Sequence, residues 1–384
     1  MLPHVPFLGL DKRKRFSIRC SDMMGKRFPS GMEFILRGID LAIKTATGRQ
    51  SPAQAANLIR YKLSKPAQIL KYSPLTLCLF PTDRCTLKCK MCLTHAASPQ
   101  AEGNPFRHEP AADMGFDLFR EIADRFHCAT SLQLIGTGEP LLNKDFFRMV
   151  DYASRVRKME VASTSNGTIL HNYLPELAAS PLSSLNISLN GHNAAEFERI
   201  TGHGADIYHT VRENIVRLVQ EKKRAGSALK ITVSYILDRV NFHHLQEMID
   251  LAHSLGVDGA YLCNYLSTVD TPGLSTHDRC LYEDNAEARQ AISRLNVPKN
   301  LVIAPFNLLK RKPEGSCQVF FTNIIVDGDG NVGACGKMIQ NFKGNGNFND
   351  PDVWNNRYFQ EMRLRFLDPQ VPFLKPCLSC DNNL

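Results

Sequence analysis

The chain has 384 residues, 43% hydrophobic and 22% charged, an ordinary globular composition that excludes a fibrous, collagen-like or wholly disordered protein. At this length a core is buried without disulfide staples, and no apolar run reaches the roughly 18 residues needed to cross a bilayer. The net charge of +8 is uneven: residues 1–75 hold 14 Lys/Arg against 4 Asp/Glu, whereas the remainder holds 32 against 34 and is net −2.

The basic stretch comes first. Its apolar residues Leu2 to Leu10 precede the run Lys12, Arg13, Lys14, Arg15, the reverse of a secretory signal, so a cytoplasmic, reducing setting is expected. Gly31 to Thr47 carries Ile35, Leu36, Ile39, Leu41, Ala42 and Ile43 on one broad helical face. That pattern suits a lid over the main body, a solvated arm, or peripheral contact with an anionic membrane surface.

From residue 75 onward, β-rich segments alternate with helical ones, the pattern of repeated βα units and a parallel sheet. Strands are predicted at Leu75 to Phe80, Ser131 to Ile135, Glu160 to Ser165, Ser184 to Ser188, Ile231 to Leu237 and Gly259 to Cys263. Apolar spacings of three and four predict helices over Phe116 to Phe126, Asp145 to Arg155, Tyr208 to Lys223 and Phe242 to Leu255. Further on, Asn300 to Pro305 reads as a short strand. Val319 to Val326, the turn Asp327-Gly328-Asp329-Gly330 and Asn331-Val332 read as a hairpin, and Asn341 to Asp352 as loop. Three regions follow: a basic, partly helical extension over 1–74, an α/β barrel or open sheet over 75–298, and a small C-terminal α+β unit over 299–384.

Twelve cysteines in a reducing setting are better read as metal ligands than as disulfides. Cys85-Thr-Leu-Lys-Cys89-Lys-Met-Cys92 directly follows the first predicted strand, on the loop at its C-terminal end. A tetrahedral zinc site wants four ligands, for which His95 is the nearby fourth candidate; an iron-sulfur cube held by three cysteines keeps one iron open. Cys317, Cys335, Cys377 and Cys380 supply four thiolates, enough for a zinc ribbon or an iron-sulfur site. Cys20, Cys78, Cys128, Cys263 and Cys280 stand alone, and an isolated cysteine is by default a small buried hydrophobe.

The Cys-x3-Cys-x2-Cys spacing after strand one resembles the radical S-adenosylmethionine (radical SAM) enzymes. Gly136-Thr137-Gly138-Glu139-Pro140 is similar to the Gly-Gly-Glu-Pro motif that holds the methionine amino group in that family, with Thr137 interrupting the usual pair. Ser165-Asn166-Gly167-Thr168 and Ser188-Leu189-Asn190-Gly191, after strands three and four, are similar to family segments that approach the ribose and carboxylate, with Asn190 where Asp is common. The resemblance covers about residues 75–265. It implies a partial (β/α)6 barrel with its ligands at the C-terminal strand ends. It also implies a 4Fe-4S cluster on Cys85, Cys89 and Cys92, with S-adenosylmethionine held by Gly136, Thr137, Gly138, Glu139, Ser165, Asn166, Ser188 and Asn190. An electron donor such as flavodoxin or ferredoxin is implied as a partner. Gly330-Asn-Val-Gly-Ala-Cys335 on the hairpin resembles the SPASM and Twitch subfamilies, and the single-cluster Twitch form fits best. That form implies a second, auxiliary 4Fe-4S cluster on Cys317, Cys335, Cys377 and Cys380.

For activity, the resemblance implies reductive cleavage of S-adenosylmethionine to a 5′-deoxyadenosyl radical that abstracts a substrate hydrogen. By analogy with Twitch-type aminocyclitol dehydrogenases, the expected reaction oxidises or epimerises a carbinol carbon of a small polar metabolite such as an aminocyclitol or sugar. Cys263, at the end of strand six, is a candidate hydrogen donor that would mark an epimerase, and Asn264 and Tyr265 beside it are candidates to bind substrate. Radical modification of a ribosomally made peptide, or of a lipid at the membrane surface, stays open, as does a non-enzymatic zinc protein. Nucleic acid is not an expected partner, because the cysteine-bearing body is net −2.

Overall fold

The strands are β1 (Thr76–Leu79), β2 (Ser131–Leu134), β3 (Glu160–Ser165), β4 (Ser184–Ser188), β5 (Lys230–Leu237), β6 (Gly259–Asn264), β7 (Val302–Ile303), β8 (Asn323–Val326) and β9 (Val332–Gly333). The computed structural model describes residues 44–92, 94–96, 112–265, 279–304, 306, 308–310, 317–336, 342–378 and 380. Among these the strands form one sheet in the order β7-β6-β5-β4-β3-β2-β1-β8-β9, parallel throughout except for β9 on β8. The six strands predicted from sequence appear within one residue at each end. Helices α1 (Pro52–Leu63), α2 (Phe116–Arg125), α3 (Phe146–Asp151), α4 (Leu174–Ala179), α5 (Ala194–Thr201), α6 (Ala205–Arg224) and α7 (Leu245–Ser254) accompany them. This is the α/β architecture that the alternating pattern predicts, in the partial-barrel form that the resemblance implies.

The two faces of the sheet differ sharply. Leu132, Leu134, Val161, Leu185, Ile187, Ile231 and Val233 are fully buried in one core with Phe119 and Ile122 of α2, Met149 of α3, Ile215 of α6 and Ile249 of α7. Alternation along each strand sends the neighbouring residues to the opposite, inner face. There, register aligns Cys78 with Gln133, Thr164 with Asn186 and Thr232, Ser188 with Ser234 and Tyr261, and Ile236 with Cys263.

α1 closes the N-terminal end of this barrel. Ser51 and Gln54 form a reciprocal capping box with Pro52 in the first turn, which fixes where the helix starts. Gln54 Nε2 then donates to the carbonyls of Ala129 (2.6 Å) and Arg157 (2.8 Å), and Asn57 Nδ2 to those of Ser73 (3.1 Å) and Cys128 (3.3 Å). Two side chains thus satisfy the backbone leading into three strands.

Two local expectations need correcting, and the hairpin, present as β8 with antiparallel β9, has a further neighbour. Val319–Thr322 is a helical turn, not the start of a strand; its Val-Phe-Phe run is buried, and a short apolar run has no periodicity to separate the two. The hairpin's β8 lies parallel beside β1, from Thr76 with Asn323 to Leu79 with Val326, so it extends the barrel's own sheet. The predicted helix Asp145 to Arg155 is α3 followed by a π turn over Tyr152–Val156, where Arg157 N reaches back to Tyr152 O at 3.0 Å. The amphipathic segment Gly31 to Thr47 lies outside the described residues except for 44–47. Among the described residues no helix is long and apolar enough to cross a membrane.

Candidate active site at the C-terminal strand ends

The loop after β1 carries Cys85, Cys89 and Cys92 and is tied down by three neighbouring loops. Glu139 N, after β2, donates to Arg84 O at 2.8 Å; Asn166 Nδ2, after β3, donates to Thr86 Oγ1 at 2.9 Å; Lys90 N donates to Thr201 O, at the end of α5, at 2.9 Å. Lys88 N also reaches His203 Nε2 at 3.2 Å. Arg84 grips Asp113 with two nitrogens, at 3.0 and 2.6 Å, and donates to Leu142 O at 2.7 Å. The cysteine loop is therefore placed by hydrogen bonds from every adjacent βα connection. Burial, with Cys92 and Cys85 acting in the same direction, pushes the Cys89 thiol up to about 12. Burial also raises Cys85, with smaller contributions from Glu139 and Cys92.

The Gly136–Pro140 segment packs directly on that loop. A Cβ on Gly138 would meet Arg84 O and sit 2.6 Å from Thr82 O, both backbone atoms, and one on Gly136 would fall 2.7 Å from the Phe80 ring. Only glycine permits this approach. Thr137, which interrupts the glycine pair, hydrogen-bonds Asp83 through Oγ1, while its carbonyl faces His95 Nε2 at 2.8 Å. His95 Nε2 is thus engaged at the Gly136–Pro140 turn, while its backbone N–H donates to Cys92 Sγ at 3.3 Å. We expect Gly138→Ala to lower 5′-deoxyadenosine formation by about 100-fold, the effect of misplacing a reacting group by about 1 Å. Gly115→Ala, at a position with nothing within 4 Å, is the control. Turnover within a few-fold of the parent for the Gly138 variant would show that this contact does not place the cysteines.

Glu139 lies 1% exposed, and its carboxylate is an internal tie: Oε2 accepts from Asn166 N at 2.7 Å and Oε1 from Leu141 N at 3.3 Å. Burial raises its pKa, opposed by those bonds and one from Ser165. Asn166 Nδ2 stands 3.6 Å from Cys85 Sγ, and its Oδ1 accepts from Thr168 N and Oγ1. Gly167 takes φ +81 beneath Ile187 and Val211, and Ser165 Oγ accepts its N–H at 3.0 Å. Ser188 is half-buried on the inner face. Asn190 follows at φ +53, a left-handed conformation that Asn tolerates, and is 5% exposed. The structure thus gathers all eight of these residues around the cysteine loop or on the adjoining strand ends.

Cys263 lies on the inner face of β6, exposed, two residues above Tyr261. The Asn264 amide is 4% exposed and tied to one backbone neighbour, with Nδ2 on Leu281 O (2.7 Å) and Oδ1 on Leu281 N (3.0 Å). Tyr265 instead lies under the Arg279 guanidinium, 4.2 Å from the ring centroid. Arg279 and Arg199 share the fully buried Asp238, whose pKa their hydrogen bonds and charge lower against the opposing effect of burial. His243 and His244 are exposed; His244 stacks on His192 at 4.5 Å. None of these ties has a local sequence signal. Only the clustering of polar residues just past each strand hints at them.

At the other side of β1, Cys317 precedes the helical turn into β8, Cys335 follows β9, and Cys377 and Cys380 lie at the C-terminal end. Burial pushes the Cys317 and Cys377 thiols up to about 12, helped at Cys317 by Cys335, Cys380 and Cys377 and at Cys377 by Cys380 and Cys335, so the four are electrostatic neighbours. Among the described residues no three Cys, His, Asp or Glu groups close on one point as a single bare ion requires. A multi-iron cage sets its sulfur ligands wider apart and prefers soft thiolates, so both cysteine groups fit such a cage in donor chemistry.

A three-cysteine loop at the mouth of a partial barrel, ringed by strand-end hydrogen-bonding groups, defines a cofactor-dependent enzyme. The signature of the Radical SAM superfamily matches residues 79–252, and this part of the chain is a Radical SAM domain. Its cofactors are those of the superfamily, a 4Fe-4S cluster and S-adenosylmethionine. A GTP 3′,8-cyclase of Vibrio cholerae is 32% identical over 123 residues, 32% of this chain and 35% of the cyclase. A PqqA peptide cyclase of Rhodopseudomonas palustris is 27% identical over 193 residues, 50% of this chain and 47% of the relative. The chain thus spans about a third of the first relative's length and about half of the second's. The crystal structure of Streptococcus suis SuiB bound to precursor peptide SuiA has a TM-score of 0.58 at 17% identity, over 86% of this chain and 73% of SuiB, and shares the fold.

Proposed function

We propose that this enzyme oxidises or epimerises a carbinol carbon of a small polar metabolite, such as an aminocyclitol or sugar, held against the inner face of the sheet. The observation that carries this reading is the chemistry of that face. Gln133, Thr164, Asn186, Ser188, Thr232 and Ser234 offer hydroxyl and amide groups without a formal charge, in rows set by strand register. Asn186 already links Ser234 Oγ (3.0 Å) and Thr232 Oγ1 (3.1 Å). Such groups exchange partners with substrate hydroxyls, and a ligand lacking those hydroxyls leaves them unpaired.

Cys85, Cys89 and Cys92 would hold the first cluster. Gly136, Thr137, Gly138, Glu139, Ser165, Asn166, Ser188 and Asn190 would hold or shape the site for S-adenosylmethionine. Bound there, the pair supplies a 5′-deoxyadenosyl radical that takes a hydrogen atom from substrate. Cys317, Cys335, Cys377 and Cys380 would hold an auxiliary cluster in the Twitch manner, and the electron would come from a flavodoxin- or ferredoxin-type donor. The chain's own part is to orient the substrate carbon and exclude water. In the epimerase form Cys263 gives its S–H hydrogen to the substrate radical, forming the new C–H bond and leaving a thiyl that a reductant must restore. Cys263→Ala is then expected to abolish incorporation of solvent deuterium into product, and unchanged incorporation sinks the donor role.

The peptide reading has its own support. The sheet stops at the two-residue β7, leaving Tyr261 38% exposed beside it, which suits an extended substrate. The relatives named for PqqA peptide and precursor peptide point the same way. The test offers deuterated polyols, sugars and peptides to anaerobically reconstituted enzyme and follows label into 5′-deoxyadenosine. Transfer from a polyol or sugar supports the first reading, and transfer from a peptide alone replaces it with the second.

A further inference from the structure

α1 is built inside out. Its buried residues are Gln54 and Asn57, while Ile59 and Leu63, one turn apart on the opposite side, are 48% and 76% exposed. A surface helix ordinarily buries its apolar stripe and solvates its polar one. The chain then folds back, setting Tyr72 against Tyr61 at 5.2 Å between ring centroids, and on the way leaves Ile69 59% exposed. Residues 44–75, which contain all of this, hold six cations, Lys44, Arg49, Arg60, Lys62, Lys65 and Lys71, and no acidic residue. Exposed apolar side chains alone would suit any partner. In a segment that carries six cations and no acidic residue of its own, they are complementary to a surface that is apolar beneath and anionic above.

We propose that this face docks on an anionic lipid bilayer, with Ile59, Leu63 and Ile69 entering the headgroup–acyl boundary and the surrounding cations meeting lipid phosphates. Its position gives the docking a direction. Gln54 and Asn57 fasten α1 to the backbone that enters β1, β2 and β3, at the end of the barrel opposite the cysteine loop. The catalytic mouth therefore faces away from the membrane. The contact recruits the enzyme to the surface and does not deliver lipid to the inner face.

The test is co-sedimentation of the full-length, reconstituted protein with vesicles of phosphatidylcholine alone or mixed with phosphatidylglycerol. Binding to the mixed vesicles is expected to exceed that to phosphatidylcholine by about ten-fold at low salt and to weaken as salt rises. An I59D/L63D variant should lose about ten-fold of that binding, and K65E/K71E should lose binding and salt dependence together, since each cation near the surface contributes. All four positions are exposed, so melting temperature and 5′-deoxyadenosine formation should match the parent. No sedimentation with either vesicle, or binding that both variants leave unchanged, overturns the proposal. So does a variant whose effect is on the size of the protein in solution, which would make the occupant a second copy of the chain. The vesicle result stands whatever the enzyme's substrate proves to be.

Discussion

Replacing Cys89 with alanine should reduce 5′-deoxyadenosine formation to background and, of about eight irons per reconstituted chain, remove about four. Cys89 is the middle cysteine of its loop, and its thiol is the one that both neighbouring cysteines push upward in pKa, so it stands between them. A cube held by three thiolates cannot lose one and keep both its hold and its single open iron. The matching substitution Cys128→Ala should change neither number, because Cys128 lies at the opposite end of the barrel, where its carbonyl meets α1. A Cys317→Ala, Cys335→Ala pair should also remove about four irons, those of the other group, so the two losses add in the combined variant. Deoxyadenosine made by the Cys89 variant at the parent rate would remove the loop from the chemistry. Unchanged iron in the Cys317 and Cys335 variant would remove the auxiliary cluster.

Much of this site is legible in the sequence because its signals are local. β1 to β6 announce themselves by short apolar or alternating runs, and the cysteines, Gly136–Pro140 and the two Asn-Gly turns fall where those runs end. What escapes is whatever depends on a distant partner. β8 pairs with β1 across some 240 residues of chain, and nothing in Asn323–Val326 says which strand it joins. Glu139 reads as a cofactor residue by motif, and the motif does not announce that its carboxylate also accepts from Asn166 N and Leu141 N. Asn264 reads as a substrate ligand because it is polar and ends a strand, but the backbone of Leu281 takes both ends of its amide. α1 defeats pattern reading most completely. An apolar stripe is taken to face inward, and here carbonyls at the base of the barrel draw in the polar stripe instead.

The second large effect expected is on stability, from Arg363 in the helix Arg357–Leu367. This guanidinium is 0% exposed and touches no carboxylate. Its nitrogens donate to Phe320 O (3.0 Å), Gln68 O (3.1 Å), Asn355 Oδ1 (3.0 Å) and Trp354 O (2.7 Å), and its face lies 4.3 Å from the Trp354 ring centroid. One side chain thus joins the N-terminal segment, the turn leading from Cys317 into β8, and the last long helix. Asn355 reinforces the join through Leu70, accepting from its N–H at 2.9 Å. Burial pushes the Arg363 pKa down to about 10, so between that value and 12.5 the unfolded chain binds more protons than the folded one, and stability rises with pH. At neutral pH the buried charge is therefore a cost that its hydrogen bonds offset. Exchanging a buried ion pair for apolar groups is often neutral, because both partners leave together. Here the oxygens stay behind, three of them backbone carbonyls that no substitution removes. Arg363→Met should accordingly lower the unfolding free energy by about 3–5 kcal/mol in a urea titration. It should also reduce iron at the Cys317 group, whose turn Arg363 holds, while leaving the Cys89 group loaded. A loss below about 0.5 kcal/mol would place Arg363 with ordinary surface substitutions and mean that these four bonds contribute nothing net.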